Sequence, residues 1–247
     1  MTPPAIHLIN ALGGFSSYLA PLSPPGINMI NNLVAQGANY HLTRSGPYQV
    51  GNFDLLNGAI MNINGISNSL RESTLSSTLI SKYAQGAKVY GIYNATNTFA
   101  YDIQECALGR IGIHTMPVQH LKTQWAEQIM RLGPDAKILQ ICHSGGAEHV
   151  KNALLTSSEV IRQKIIVLAL APSVIVPNEL CFRSYNYISR RDVVTHLDIV
   201  GKARYGNELR ILDPHPNAKR WDHEFASPTF TDVMEEHVSD YIRKYRR

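Results

Sequence analysis

Short apolar runs alternate with longer amphipathic segments through most of the chain, and this alternation restricts the possible folds more than any other feature. Residues 165–170 are nearly all apolar. A run this short cannot cross a bilayer, and it suits an inner strand of a parallel sheet covered on both faces. In residues 118–132, apolar side chains recur at helical spacing, which indicates a helix packed by one face. We therefore predict an α/β fold with a mostly parallel sheet and helices on both faces.

The regular pattern starts at residue 58. Residues 1–57 contain several prolines and many asparagines but few long periodic segments, so we predict an appended irregular segment that packs on the core. Residues 58–247 are predicted to form the α/β domain. Its predicted strands cover residues 59–63, 88–93, 137–142, 165–170, 184–188 and 208–212. Its predicted helices include residues 75–83, 118–132 and 230–242 and a helix that starts near residue 145 and continues through residue 154.

Ser144 stands where a predicted strand changes into a predicted helix. The strand ends at Cys142 and the helix starts near Gly145, so the connecting turn must be sharp. A serine on such a turn projects its hydroxyl beyond the strand ends, where a substrate can reach it. Gly145 and Gly146 remove side-chain bulk and let the helix pack closely. The free N–H groups of that helix start can also bind a developing oxyanion.

The segment Cys142-His143-Ser144-Gly145-Gly146 resembles the nucleophile elbow of the α/β-hydrolase superfamily. It departs from that motif at Cys142, where glycine is usual. The resemblance covers roughly residues 58–247 in the order of elements. It implies a catalytic domain that hydrolyses an ester, thioester or amide through an acyl-enzyme on Ser144, with no cofactor.

In the superfamily, the acid lies in the loop after the second strand that follows the elbow. Asp192 occupies that loop and is followed by two small apolar residues, as in the family's acid loop. We therefore predict Asp192 as the orienting acid. Asp192 could instead pair with a neighbouring arginine, and Asp198 is the alternative acid.

The resemblance places the base between the last strand and the final helix. His223 lies there, just before the helix, and is the predicted base. His215 is flanked by prolines and is interpreted as part of a rigid surface turn. His237 falls on the apolar stripe of the final helix and is interpreted as a core histidine. His143, before the serine, is interpreted as a side chain that packs or bonds locally.

Two segments are candidates for the oxyanion site. The backbone N–H of Gly145 follows the serine directly. In this fold the second donor comes from a loop after an earlier strand, which here is the loop of Gly65 and Ile66. An ordinary Asn-Gly turn is the alternative interpretation of that loop.

Charge and composition bear on whether the protein binds nucleic acid and whether it is a membrane protein. The formal charge of +4 is small, and the densest basic run, residues 243–247, fits a solvated helix end. We therefore expect no nucleic-acid partner. No apolar stretch suits a transmembrane segment or a secretory signal, so we expect a soluble, cytoplasmic protein.

Three cysteines at irregular spacing indicate neither a disulfide framework nor a zinc site, and no metal is expected. Two function classes therefore stay open. The first is a serine hydrolase, or an acyltransferase with the same three residues, acting on a small-molecule or acyl substrate. The second is an inactive module of the same fold that only binds a partner.

Overall fold

The structure is a computed structural model that describes residues 45–66, 68–95, 115–192, 194 and 198–246. Most of the predicted N-terminal segment and Cys106 therefore lie outside the described residues. The predicted boundary at residue 57 stays a prediction. The part of that segment that the structure describes, residues 45–57, contributes an edge strand to the sheet.

The described residues form a seven-stranded sheet in the order β1-β3-β2-β4-β5-β6-β7. Its strands are β1 (Gly46–Val50), β2 (Gly58–Ile63), β3 (Val89–Tyr93), β4 (Lys137–His143), β5 (Ile165–Leu170), β6 (Arg183–Ser189) and β7 (Leu209–Leu212). Strand β1 is antiparallel to β3, and every other pair is parallel. The predicted α/β fold with a mostly parallel sheet is thus confirmed.

Six α-helices lie between or after these strands in the described part of the chain. They are α1 (Leu70–Tyr83), α2 (Met116–Arg131), α3 (Gly146–Leu155), α4 (Glu159–Arg162), α5 (Ile199–Tyr205) and α6 (Pro228–Tyr245). The short helices α4 and α5 were not predicted from the sequence, because neither is long enough to show a helical apolar period.

The helices cover both faces of the sheet. Successive residues of a strand point to opposite faces, so neighbouring residues of one strand pack in different cores. Met61 of β2 packs in one apolar core with Trp125 of α2 and Val150 of α3. Ile60, the preceding residue, packs in the other core with residues of α1 and α6 such as Phe230. All five side chains are fully buried. Two buried layers around one sheet explain why the inner strands are apolar almost throughout.

The edge strand β1 is joined to the rest of the domain by Tyr48. Its hydroxyl contacts the backbone oxygen of Ser73 at 2.7 Å and the Ser77 hydroxyl at 2.8 Å, both in α1. The tyrosine ring lies over Gly91 of β3, where any side chain would overlap it. Contacts of this kind, between residues far apart in the chain, fix the position of the edge strand. The local spacing of apolar residues does not reveal them.

Candidate active site

Ser144 occupies a tight turn between β4 and α3. Its φ of 50° lies in the left-handed region, which costs a residue other than glycine about 1–2 kcal/mol. Three hydrogen bonds to its carbonyl oxygen hold this conformation. The amide and hydroxyl of Ser173 each donate at 3.1 Å, and the amide of Ala147 donates at the same distance. The predicted sharp turn is thus present, and the bonds from the loop after β5 stabilise it.

Glycine is required where neighbouring loops approach this turn. A Cβ atom at Gly146 would lie 2.8 Å from the carbonyl oxygen of Asn64 and 2.9 Å from that of Ile63. A Cβ atom at Gly65 would lie 2.7 Å from the Cβ atom of Ser144. All three distances are shorter than van der Waals contact. The loop after β2 therefore packs directly against the serine because both glycines lack side chains.

The structure brings Ser144, His223 and Asp192 into one hydrogen-bonded chain. His223 Nδ1 lies 2.9 Å from Asp192 Oδ2, and His223 Nε2 lies 2.9 Å from Ser144 Oγ. An ionised carboxylate only accepts hydrogen bonds, so Nδ1 donates to Asp192. In the neutral ring Nε2 then accepts from the serine hydroxyl. The Asp192 side chain is fully buried, whereas 13% of the His223 side chain is exposed.

Two backbone bonds hold Asp192 beyond the end of β6. Its amide donates to the carbonyl oxygen of Ser189, and its Oδ1 accepts from the amide of Val194, each at 2.9 Å. Asp198, the alternative acid, has a different place. Its carboxylate accepts from the amides of Ile175 and Gly201 at 2.8 Å and caps the N-terminus of α5.

The other histidines considered from the sequence do not join this chain of hydrogen bonds. His215 Nδ1 accepts from the amide of Asn217 at 3.1 Å, within its own turn. His237 Nε2 lies 2.9 Å from the hydroxyl of Tyr187, and its ring packs on Tyr185 with centroids 4.3 Å apart. His237 is therefore a half-buried residue of α6 that packs on β6, and not a fully buried core histidine.

The loop that carries His223 is held by a buried carboxylate. Asp222 is 1% exposed and accepts hydrogen bonds from the hydroxyls of Ser227 and Thr229, at the start of α6. Ser227 is also the N-cap residue of that helix. Asp222 was not singled out from the sequence, because an acid beside a histidine has no distinguishing pattern.

His143 makes a long-range contact where the sequence indicated only a local one. Its Nε2 lies 2.7 Å from the backbone carbonyl oxygen of His223, and its ring packs against Phe225. Burial, together with the neighbouring His223, lowers the pKa of His143 to about 3. The ring is therefore neutral at physiological pH, and Nε2 carries the proton that the carbonyl accepts. No sequence signal identifies this bond, which joins residues 80 positions apart.

The two candidate oxyanion segments are adjacent. A Cβ atom at Gly145 would lie 2.7 Å from the Ile66 side chain and 3.9 Å from the Ile66 amide nitrogen. The Asn64 side chain holds this loop: its Oδ1 accepts from the Asn94 amide at 2.8 Å and from the Ser73 hydroxyl at 3.0 Å. The loop is therefore tied to α1 and to the residue directly after β3, and the Ile66 amide lies near Gly145, which follows the serine.

A cleft of about 430 Å³ opens at this position. Ser144, His143 and His223 lie on its floor, and its walls come mainly from α1 and the loop before α6. The volume is within the range of small-molecule sites. Among the residues that the structure describes, no group of His, Cys, Asp or Glu side chains has an arrangement that could hold a metal ion.

Cys142, which stands where the hydrolase motif usually has glycine, is inaccessible. Its side chain is completely buried, and burial raises the pKa of its thiol. A thiol without solvent access or thiolate character is a poor nucleophile.

Within the described ranges, no helix is both long and apolar enough to span a bilayer.

No protein-family model matches the sequence, and no curated protein matches it. Several solved structures are similar in fold, two esterases among them. Carboxyl esterase 2 from the mycorrhizal fungus Tuber melanosporum has a TM-score of 0.52 at 14% identity, over 81% of this chain and 82% of that chain. The carboxylesterase of Bacillus cereus has a TM-score of 0.50 at 10% identity, over 85% of this chain and 99% of that chain. With the sheet order and the tight turn at Ser144, these similarities identify the chain as a protein of the α/β-hydrolase fold, as the elbow motif indicated.

Proposed function

We propose that the protein is a serine hydrolase that cleaves carboxylic esters of small molecules through an acyl-enzyme. The observation that carries this proposal is the hydrogen-bonded chain of Ser144, His223 and Asp192, with both links at 2.9 Å. A serine needs a base within hydrogen-bond reach, and the base needs a group that orients it. The cleft above Ser144 supplies space for a substrate.

Each of the three residues has a defined role in the proposed reaction. Ser144 Oγ attacks the ester carbonyl carbon while His223 Nε2 takes the hydroxyl proton. Asp192 holds the Nδ1–H tautomer and stabilises the imidazolium that forms. The tetrahedral intermediate collapses as its C–O bond to the alcohol breaks, and His223 returns the proton to the leaving oxygen. Water then repeats the attack on the acyl-enzyme, and the acid product leaves.

The oxyanion is assigned to the backbone amides of the two adjacent segments. Gly145 follows the nucleophile, and Ile66, next to Gly65, lies on the facing loop. No backbone hydrogen bond joins either amide to another of the described residues, so both can donate to a developing negative charge. Amides held in place before the reaction stabilise the transition state without reorganisation.

Esters are preferred as the substrate class because both reported structural relatives are named as esterases. An acyltransferase would use the same residues with an alcohol or amine in place of water. The inactive-module alternative is less consistent with the site. Ser144 adopts a left-handed conformation, and its hydroxyl lies against a histidine that contacts a buried acid. A purely structural role for this serine does not require that arrangement.

Active-site labelling with a fluorophosphonate tests the proposal directly. We expect one covalent adduct on the wild-type protein by intact mass, located on Ser144 by peptide mapping, and none on Ser144→Ala. Ser157→Ala is the matched control, because the hydroxyl of this serine donates to the carbonyl oxygen of Ala153, in the preceding helix, and does not line the described cleft. Ser144→Ala should also reduce p-nitrophenyl ester hydrolysis by roughly 10⁴-fold or more.

The same experiment can contradict the proposal. If the wild-type protein takes up no label and hydrolyses no ester, the inactive-module alternative is correct. If Ser144→Ala still reacts and Cys142→Ala does not, the nucleophile is the cysteine. Product analysis with and without an added alcohol then separates hydrolysis from acyl transfer.

A further inference from the structure

The walls of the cleft at Ser144 are mainly apolar. The described side chains that give it this character are Ile66, Leu75, Leu79, Val194 and Phe225. Leu75 is 57% exposed although it is a large apolar residue on α1. Its exposed surface faces the same cleft as the nucleophile, where a bound apolar group would cover it. Burial of that surface would favour a substrate with a hydrocarbon arm.

The acidic and basic side chains among the described residues of this cleft are of one sign. Glu72 of α1 and Glu224 of the loop before α6 both line it. Among the described residues that form the cleft there is no lysine or arginine. His143 is kept neutral by burial, so it adds no positive charge to the floor. A second negative charge on a substrate would therefore meet no cation within the described walls.

The two glutamates differ in how far their charge is compensated. Glu72 Oε2 accepts from the amide of Ser69 at 2.6 Å and from its hydroxyl at 2.8 Å. The Glu72 amide in turn donates to the Ser69 hydroxyl oxygen at 3.2 Å, which completes the capping box of α1. No ion pair links Glu72 to a basic residue in the described part of the chain. Glu224 pairs with Lys219 at 2.5 Å, and both are well exposed. Glu72 thus carries the less compensated charge.

We propose that this cleft selects esters whose acyl arm is apolar and uncharged or cationic, and discriminates against esters that carry a second carboxylate. The inference rests on the proposed function. A carboxylate brought between apolar walls loses hydration, and no described cation replaces that hydration. It is also repelled by the carboxylate of Glu72, which lines the cleft, and this repulsion is strongest at low salt. A cationic arm of the same length would be attracted by the carboxylate of Glu72.

Three p-nitrophenyl esters of matched length test the selection. They are the heptanoate, the mono-ester of adipic acid, and the ester of 6-(trimethylammonio)hexanoic acid, each corrected for spontaneous hydrolysis. We expect kcat/KM of the heptanoate to exceed that of the adipate roughly tenfold at low salt, with the cationic ester hydrolysed faster than the adipate. Raising the salt from about 10 mM to about 500 mM should reduce the difference.

Charge-neutral variants assign the effect to named residues. Glu72→Gln removes the charge and keeps the capping box, because glutamine serves at that position as well as glutamate. We expect it to lower the heptanoate-to-adipate ratio roughly threefold or more. Glu224→Gln leaves Lys219 unpaired. The double variant, with both Glu72→Gln and Glu224→Gln, should have a lower heptanoate-to-adipate ratio than Glu72→Gln alone. Glu127→Gln removes the same charge from the exposed side of α2 and should leave the ratio unchanged.

The outcomes separate this inference from the proposed function. If the heptanoate is hydrolysed in a Ser144-dependent manner but the adipate is hydrolysed equally fast, the charge selection is wrong and the hydrolase stands. An unchanged ratio in Glu72→Gln and in the double variant likewise overturns it. If the wild-type protein hydrolyses none of the esters above the Ser144→Ala level, the proposed function fails and the inference fails with it.

Discussion

His143 Nε2 donates a hydrogen bond to the backbone carbonyl oxygen of His223, with the two atoms 2.7 Å apart. The residue before the candidate nucleophile therefore supports the backbone of the candidate base. The bond is partly buried, and the pKa of His143, lowered to about 3, keeps the donor neutral. A neutral ring beside His223 also avoids repulsion with the imidazolium that would form during the reaction.

Removal of this bond should lower turnover more than substrate affinity. For His143→Leu we expect kcat to fall roughly 10- to 100-fold with KM little changed, because a small displacement of the base is sufficient for such a loss. His143→Gln offers an N–H donor at a similar position and should recover much of the activity. Steady-state kinetics on one ester measure both variants. Equal losses in both variants, with equal losses of thermal stability, would indicate a packing role only.

Gly65→Ala should impair the site by steric overlap with Ser144. The added methyl group would lie 2.7 Å from Ser144 Cβ and 3.1 Å from His143 Nδ1, so the serine or the loop must move. We expect kcat/KM to fall at least about 100-fold, since a displacement near 1 Å can have that effect. Fluorophosphonate labelling rates provide a second measurement.

Gly133→Ala is the matched control for that substitution. A Cβ atom there meets nothing within 4 Å, and Gly133 is not among the residues with positive φ. Activity should be unchanged, and stability equal or slightly higher, because alanine reduces the entropy of the unfolded chain. Normal activity in Gly65→Ala would show that the close approach to Ser144 is tolerated by relaxation.

Leu75→Ala should reduce activity in proportion to the length of the acyl chain. The leucine lines the cleft and is largely exposed, so its loss removes apolar contact with a bound chain. We expect kcat/KM for p-nitrophenyl hexanoate to fall about three- to tenfold, since each buried methylene contributes about 0.8 kcal/mol at most. Hydrolysis of the acetate should change less than about twofold on the same reasoning.

Leu56→Ala provides the comparison, because Leu56 is 74% exposed and precedes β2, whereas the cleft lies beyond the other end of that strand. It should affect neither ester. A loss in Leu75→Ala that is the same for acetate and hexanoate would mean that the side chain supports α1 and does not contact the acyl chain.

Acidification should destabilise the fold through His149. Burial lowers its pKa to about 4, below the value of about 6.5 for an unfolded histidine. The unfolded chain therefore binds the extra proton between these values. The stabilisation is fully present above about pH 6.5 and is lost as the pH falls towards 4, with a slope of up to about 1.4 kcal/mol per pH unit.

Urea unfolding at several pH values measures this contribution. In His149→Asn the titrating group is absent, so the free energy of unfolding should decrease less steeply below about pH 6.5 than in the wild type. Thr115→Val removes the hydroxyl 3.4 Å from His149 Nδ1 but leaves the ring buried, and it should keep the wild-type slope. Identical slopes in His149→Asn and the wild type would contradict the assignment to this histidine.

The sequence by itself determined most of the strands and the longer helices, but not β1, α4 or α5, and it determined where the reactive turn lies. Local periodicity is sufficient for this, because a buried parallel strand such as Ile165–Leu170 must be apolar on both faces and a covering helix only on one. The tight turn at Ser144 was also readable locally, since a strand and a helix with almost no residues between them permit few conformations.

Only the tertiary structure decided which distant side chains meet. Asp192 and Asp198 are both buried acids in one loop region, yet only Asp192 lies against His223, because backbone amides hold Asp198 at the start of α5. The bond from His143 to the His223 carbonyl and the position of Glu72 at the cleft likewise depend on strand register and loop paths. These are set by contacts between residues far apart in the chain, which no local pattern of residue types records.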